Sequence, residues 1–170
     1  MKIYITGIAG FLGSNLAKHL LKLGYFVGGN DNLIGGDKEN LPKNLYRFDL
    51  TDCINYDEMV LNLKEADIVY HCAATAHEGL SVFSPNFITK NIYQASVSVI
   101  TASISNKVKR FVYCSSMARY GSQKTPFTED ISPKPVDPYG IAKVAGEETL
   151  KLLAEVHGME YNIAVPHNIV

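Results

Sequence analysis

Tyr139 and Lys143 are four residues apart, a spacing that puts a phenol and an ammonium on one face of a helix. A cation beside a phenol favours the phenolate, which predicts a pKa below the ordinary value of about 10 and a side chain able to act as a base. Far upstream, Gly7-Ile8-Ala9-Gly10-Phe11-Leu12-Gly13 follows the apolar run Ile3-Tyr4-Ile5 and leads into a helical pattern. Glycines also punctuate ordinary turns, but in this context such a loop cradles the pyrophosphate of a dinucleotide on free helix-start amides. Asp31, at the end of the next strand pattern, can accept hydrogen bonds from the adenosine ribose hydroxyls. Its charge opposes a 2′-phosphate, so NAD is expected rather than NADP. The alternative for Asp31 is a turn carboxylate beside Asn32. Asp49, after the third strand pattern, could accept from the adenine amino group or serve as a helix cap or loop carboxylate. A proton-abstracting tyrosine and a dinucleotide in one domain imply hydride transfer.

The elements that must position these groups alternate along the chain. Strand patterns run over Ile3 to Thr6, Tyr25 to Asn30, Leu45 to Phe48, Asp67 to Cys72, Arg110 to Cys114 and Tyr161 to Val165. Helical patterns run over Phe11 to Leu23, Tyr56 to Leu63, about Pro85 to Ser105, and Tyr139 to about His157. Such alternation predicts a Rossmann-type, doubly wound parallel sheet of about six strands with right-handed crossovers. Gly28 and Gly29 weaken the second strand pattern. The segment Gln123 to Pro138 holds four prolines and reads as a long irregular loop that delivers Tyr139.

Composition narrows the partners. The 170 residues are expected to form one domain with a real core. A net charge of -1 and a pI near 6.5 argue against nucleic acid or an anionic membrane as partner. The three cysteines, Cys53, Cys72 and Cys114, form no CxxC pair and fit a reducing, cytoplasmic setting. No apolar stretch approaches the roughly 20 residues of a membrane span. Met1-Lys2 runs directly into the first strand pattern, so no targeting segment is expected. His71 and Cys72 lack partners at metal-ligand spacing, and no metal is expected.

The motifs in this order resemble the extended short-chain dehydrogenase/reductase superfamily, in particular its NAD-dependent nucleotide-sugar epimerases and dehydratases. The resemblance spans the whole chain. It rests on Gly7-x-x-Gly10-x-x-Gly13, Asp31, Asp49-Leu50, and His71-Cys72-Ala73-Ala74. Further along it rests on Asn91, Ser115-Ser116 with Tyr120-Gly121, Tyr139-x-x-x-Lys143 and Pro166-His167-Asn168.

The resemblance implies a role for each matching residue. Tyr139 would be the catalytic base, Lys143 its electrostatic partner and a ligand of the nicotinamide ribose, and Ser116 the hydroxyl that holds the reacting sugar oxygen. Ser115 is the neighbour that could be confused with Ser116. The cofactor would meet Gly7, Gly10, Phe11, Leu12, Gly13, Asp31, Asn32, Asp49, Leu50, Ala73, Ala74, Asn91, Tyr139, Lys143 and Pro166. Asn168 would bind the substrate diphosphate beside Ser116, and Arg119 could reach a phosphate or simply solvent.

The expected reaction is UDP-hexose 4-epimerisation through a transient 4-keto sugar. Family dehydratases commonly carry an Asp-Glu pair where Met117-Ala118 stand here. A dehydratase or reductase, or a dinucleotide-binding module without turnover, are the alternatives. The chain is expected to be the NAD-binding N-terminal part, residues 1–170, of a longer enzyme. Most of the C-terminal substrate region would be missing, with little turnover from this part alone. Homodimerisation through the helices near 85–105 and 139–157 is a further expectation.

Overall fold

Each short apolar run is buried as a strand. The computed structural model, which describes residues 1–169, contains β1 (Lys2–Thr6), β2 (Phe26–Asp31), β3 (Arg47–Leu50), β4 (Ile68–His71), β5 (Arg110–Cys114) and β6 (Glu160–Ala164). All pair in parallel, in the order β3-β2-β1-β4-β5-β6. The chain reverses direction across the sheet between β1 and β4, which opens a crevice at the carboxyl ends of the strands, where ligands of such folds bind.

The helices are α1 (Phe11–Lys22), α2 (Tyr56–Asn62), α3 (Pro85–Thr89), α4 (Ala95–Ser105) and α5 (Pro138–His157). On one face, Met59 and Leu63 beside α4's Val99 and Ile100 and α5's Leu150 pack onto Tyr4, Val69, Phe111 and Tyr113. On the other, Ala17 and Leu20 of α1 pack onto Ile3, Ile5 and Val27. Gly29 of β2 is needed for that second contact. A Cβ on Gly29 would lie 2.1 Å from the Ile5 carbonyl oxygen and 2.9 Å from the Ile8 side chain.

Two elements differ from the sequence expectation. The third strand lies two residues later than Leu45 to Phe48, because its register is set by pairing Gly28 with Arg47 and Asp31 with Leu50. The long helix is interrupted, with Lys90–Gln94 forming a π-helical turn between α3 and α4. Its apolar residues run around much of the girth, so periodicity alone did not reveal the widened turn. The short 3-10 turn Met117–Tyr120 was also unread. α5 begins one residue before the expected Tyr139: Asp137 accepts from the Gly140 amide at 2.9 Å, Pro138 occupies the first turn, and Gly158 ends the helix in a left-handed conformation.

Candidate functional site

The carboxyl ends of the strands enclose a cleft of about 490 Å³. Its floor at one end is the glycine loop. A Cβ on Gly13 would fall 2.2 Å from the Gly7 carbonyl oxygen, and one on Gly7, which sits at φ 70°, would fall 2.8 Å from the Ala73 backbone. Only glycine permits this three-way approach of loop, helix and β4 exit. Gly10 precedes α1 without any side-chain cap, and the first turn carries no acid. The orphan amides and positive helix end therefore face the cleft ready for phosphate.

Asp31 is buried at the end of β2. Its carboxylate accepts the amides of Ala9 at 3.0 Å and Leu33 at 2.8 Å, and Gly36 passes so close that a Cβ there would meet it at 2.8 Å. Each carboxylate oxygen keeps a lone pair for a ribose hydroxyl. Asn30 and Thr75 also line the cleft. The Asn30 Oδ1 and Thr75 Oγ1 atoms are buried without a hydrogen-bond partner among the described residues. A glycine cradle, an uncapped helix start, a buried acceptor and two unpartnered polar atoms together fit a dinucleotide.

At the other end, α5 presents Tyr139 and Lys143, both nearly buried. The Lys143 Nζ donates to the Cys114 carbonyl at 2.6 Å and lies 5.9 Å from the Tyr139 ring centre. Burial brings the Lys143 ammonium down to about 8, against the pull of Cys114, Cys72 and Glu147. The expected lowering of Tyr139 is not found. Burial pushes its phenol up, the Ser116 hydroxyl pulls it down by less, and Glu78 and Asp137 push it up further. The cause is that desolvation outweighs a cation turned toward a carbonyl rather than toward the phenol oxygen.

The two neighbouring serines separate clearly. Ser115 is buried and its hydroxyl donates to Glu147, whereas Ser116 caps the Met117–Tyr120 turn beside Tyr139, accepting from the Ala118 amide at 3.1 Å. The Ser115 amide donates to the Ala164 carbonyl at 2.8 Å and that of Met117 to the Pro166 carbonyl at 3.1 Å, which brings Pro166, His167 and Asn168 to the cleft wall.

Of the sequence-predicted residues, Gly7, Gly10, Phe11, Leu12, Gly13, Asp31, Asn32, Ala73, Ala74, Asn91, Ser116, Tyr139, Lys143, Pro166 and Asn168 line the cleft. Asp49 and Leu50 do not. Asp49 projects from β3 toward β1, accepting from the Tyr4 hydroxyl at 3.0 Å and the Arg47 Nε at 2.8 Å, and Leu50 is exposed. The wall there is made by Thr51, Asp52 and Cys53. Arg119 does not line the cleft either, and is buried with its guanidinium 3.2 Å from the Glu147 carboxylate.

Glu147 was missed by sequence reasoning, although its place four residues after Lys143 on the same helix face was a usable signal. His71 is buried as well, its ring held by Thr6 Oγ1 at 2.7 Å and Ser96 Oγ at 3.0 Å. Among the described residues no helix is long and apolar enough to cross a membrane.

A family model described as the NAD dependent epimerase/dehydratase family matches residues 3–170. The UDP-glucose 4-epimerase of Streptomyces lividans is 30% identical over 169 residues, covering 98% of this chain and 51% of its own length. The crystal structure of UDP-glucose 4-epimerase from Thermotoga maritima with UDP-glucose is 34% identical with a TM-score of 0.90, over 96% of this chain and 54% of that one. The dTDP-glucose 4,6-dehydratase DesIV of Streptomyces venezuelae, solved with NAD bound, is 26% identical with a TM-score of 0.89, over 96% and 54%. The chain thus spans about half the length of these relatives. Glycine cradle, Asp31, and the Ser116, Tyr139 and Lys143 cluster all lie within the matched span, and the chain belongs to the NAD-dependent epimerase/dehydratase family, whose cofactor is NAD.

Proposed function

We propose that this chain holds NAD and carries the acid–base group of a nucleotide-sugar 4-epimerase acting on a UDP-hexose. The observation that carries the reading is that Ser116, Tyr139 and Lys143 converge on the cleft that also contains the glycine cradle and Asp31. NAD, when bound, supplies the acceptor for hydrogen at sugar C4 and returns it. Tyr139 removes the proton from the 4-hydroxyl and gives it back after the 4-keto sugar has turned over, and Ser116 steadies the oxygen throughout. Lys143 holds the nicotinamide ribose and offsets charge on the phenol. General acid–base catalysis of this kind contributes about 100- to 10,000-fold.

Met117 and Ala118 follow Ser116 and cannot donate a proton, which favours epimerisation over the dehydration carried out by relatives such as DesIV. The diphosphate would be met by Asn168. A cytoplasmic location goes with this reading, since three free thiols suit a reducing compartment. Exposed Phe87, Ile141, Leu152 and Val156 on α3 and α5 support a homodimer, which sedimentation would test.

The test of function is incubation with NAD and UDP-glucose followed by chromatography of the sugar nucleotides. UDP-galactose is the expected product of a chain that also carries the substrate region, whereas residues 1–170 alone are expected to bind NAD with little conversion. A 4-keto-6-deoxy sugar moves the assignment to a dehydratase, no conversion even by the longer, NAD-bound chain reduces it to a dinucleotide-binding module, and robust conversion by residues 1–170 alone overturns the expectation that the substrate region is needed.

A further inference from the structure

The parallel register of β4 and β5 pairs His71 with Tyr113. The next residues, Cys72 and Cys114, therefore stand opposite each other on one face, with Sγ atoms 3.6 Å apart. Both are half-buried and both line the cleft. We infer that Cys72 and Cys114 form a reversible disulfide across the ends of β4 and β5, an oxidative modification site on the floor of the NAD cleft. Neighbouring strands run about 4.8 Å apart, within the Cα separation of about 4.4–6.8 Å that a disulfide spans. The sulfurs already touch, so closure needs only a small rotation of the two side chains.

Reactivity follows from the surroundings. The hydrogen bond between the two thiols and the nearby Lys143 ammonium together bring Cys114 down to about 7, while Cys72 is pushed up. Cys114, whose own carbonyl holds the Lys143 ammonium at 2.6 Å, is the thiolate nucleophile, and Cys72, its sulfur 3.6 Å away, is the resolving thiol. With hydrogen peroxide as oxidant, the Cys114 thiolate attacks one oxygen, forming an S–O bond as the O–O bond breaks and hydroxide leaves. The Cys72 sulfur then attacks the sulfenic sulfur. The S–S bond forms, and the hydroxyl departs with the Cys72 proton as water. Two thiols lose two electrons and the peroxide is reduced to water; a small thiol reverses the link by exchange. Cys53 is the internal contrast, fully buried with its thiol pushed up to about 12 by desolvation.

The link sits where it matters for the cleft. Ala73 and Ala74 follow one cysteine, Ser115 and Ser116 follow the other, and the Cys114 carbonyl anchors Lys143. Oxidation also removes the thiolate charge that supports the Lys143 ammonium.

The reduced chain treated with hydrogen peroxide, then unfolded and alkylated with N-ethylmaleimide, reads this directly by mass spectrometry. The expected result is loss of two of the three alkylatable thiols, a Cys72–Cys114 cross-linked peptide, and recovery with dithiothreitol. In Cys72→Ser, Cys114 is expected to halt as a dimedone-trappable sulfenic acid. Three thiols still alkylatable, over-oxidised Cys114 without the cross-link, or cross-linking as fast in urea would each overturn the inference. Saturating NAD is expected to slow the reaction. That arm rests on the cofactor reading, whereas the cross-link without NAD does not, so the two can fail separately.

Discussion

Tyr139 sits in the first turn of α5 with its phenol raised by burial, and Lys143, one turn on, is lowered toward neutrality by the same dry surroundings. The two shifts have one cause, the cost of charge inside the domain. Tyr139→Phe removes the ionisable oxygen and leaves the ring packed against Ile88 and Ala142. In a longer chain that turns over, it is expected to lower turnover in the epimerase assay by about 100- to 10,000-fold, while NAD binding, followed by calorimetry on either chain, stays near wild type. Asp31 makes a different prediction. NAD should bind more tightly than NADP, and Asp31→Ala should weaken NAD by about 10- to 100-fold through loss of a charged acceptor, narrowing the preference. Equal affinities of the unaltered protein for the two cofactors would remove Asp31 from the ribose site.

At the scale of elements, α1 and β4 hold the cofactor end together through contact distances only glycine allows. Gly13→Ala would force a Cβ against the Gly7 carbonyl, backbone that cannot swing aside. A loss of about 1–3 kcal/mol in stability is expected, with NAD affinity falling alongside. Gly79→Ala, with nothing within 4 Å, is the control for thermal melting.

β4 carries a second testable feature. His71 lies between Thr6 and Ser96, and burial pushes its pKa down to about 3 from an ordinary 6.5. Between those values the unfolded chain binds more protons than the folded one. The contribution of neutral His71 is thus fully present above about pH 6.5 and is lost as pH falls toward 3, by on the order of 5 kcal/mol in all. Denaturant melts of His71→Gln, which keeps hydrogen-bonding groups, should show a shallower fall over that range. An unchanged pH profile would rule out His71 as the source.

For the whole molecule, the cleft is a junction. Its walls come from the segments after β1 and β4, the ends of β2 and β5, α1, α5 and the segment after β6, so a ligand there ties both halves of the sheet. NAD at a hundred times its Kd should add about 2.7 kcal/mol, or roughly 5 to 10 °C in melting temperature for a domain of this size. Thermal melting with and without NAD checks this. A melting temperature indifferent to NAD would mean that these residues do not assemble a working cradle.

The succession and type of the elements could be read from the chain because short continuous apolar runs such as Ile68-Val69-Tyr70 stand apart from the helical patterns between them, the one from Tyr139 included, whereas the caps Asp137 and Gly158 of α5 emerged only in the structure. The glycine loop, Asp31 and the Tyr139–Lys143 spacing were likewise local patterns. What depended on distant partners was not legible. Asp49 faces Tyr4 and Arg47 instead of the cleft because the register between β2 and β3 chooses its side. Arg119 is buried against Glu147 because α5 crosses behind the Met117–Tyr120 turn. Desolvation, which decides the Tyr139 and Lys143 shifts, is a property of everything packed around them. Cys72 and Cys114, 42 positions apart in the sequence, meet only because β4 and β5 pair in parallel. Periodicity and spacing record what one segment prefers; which side chains face each other across the sheet, and how dry they are, exists only once the segments are packed.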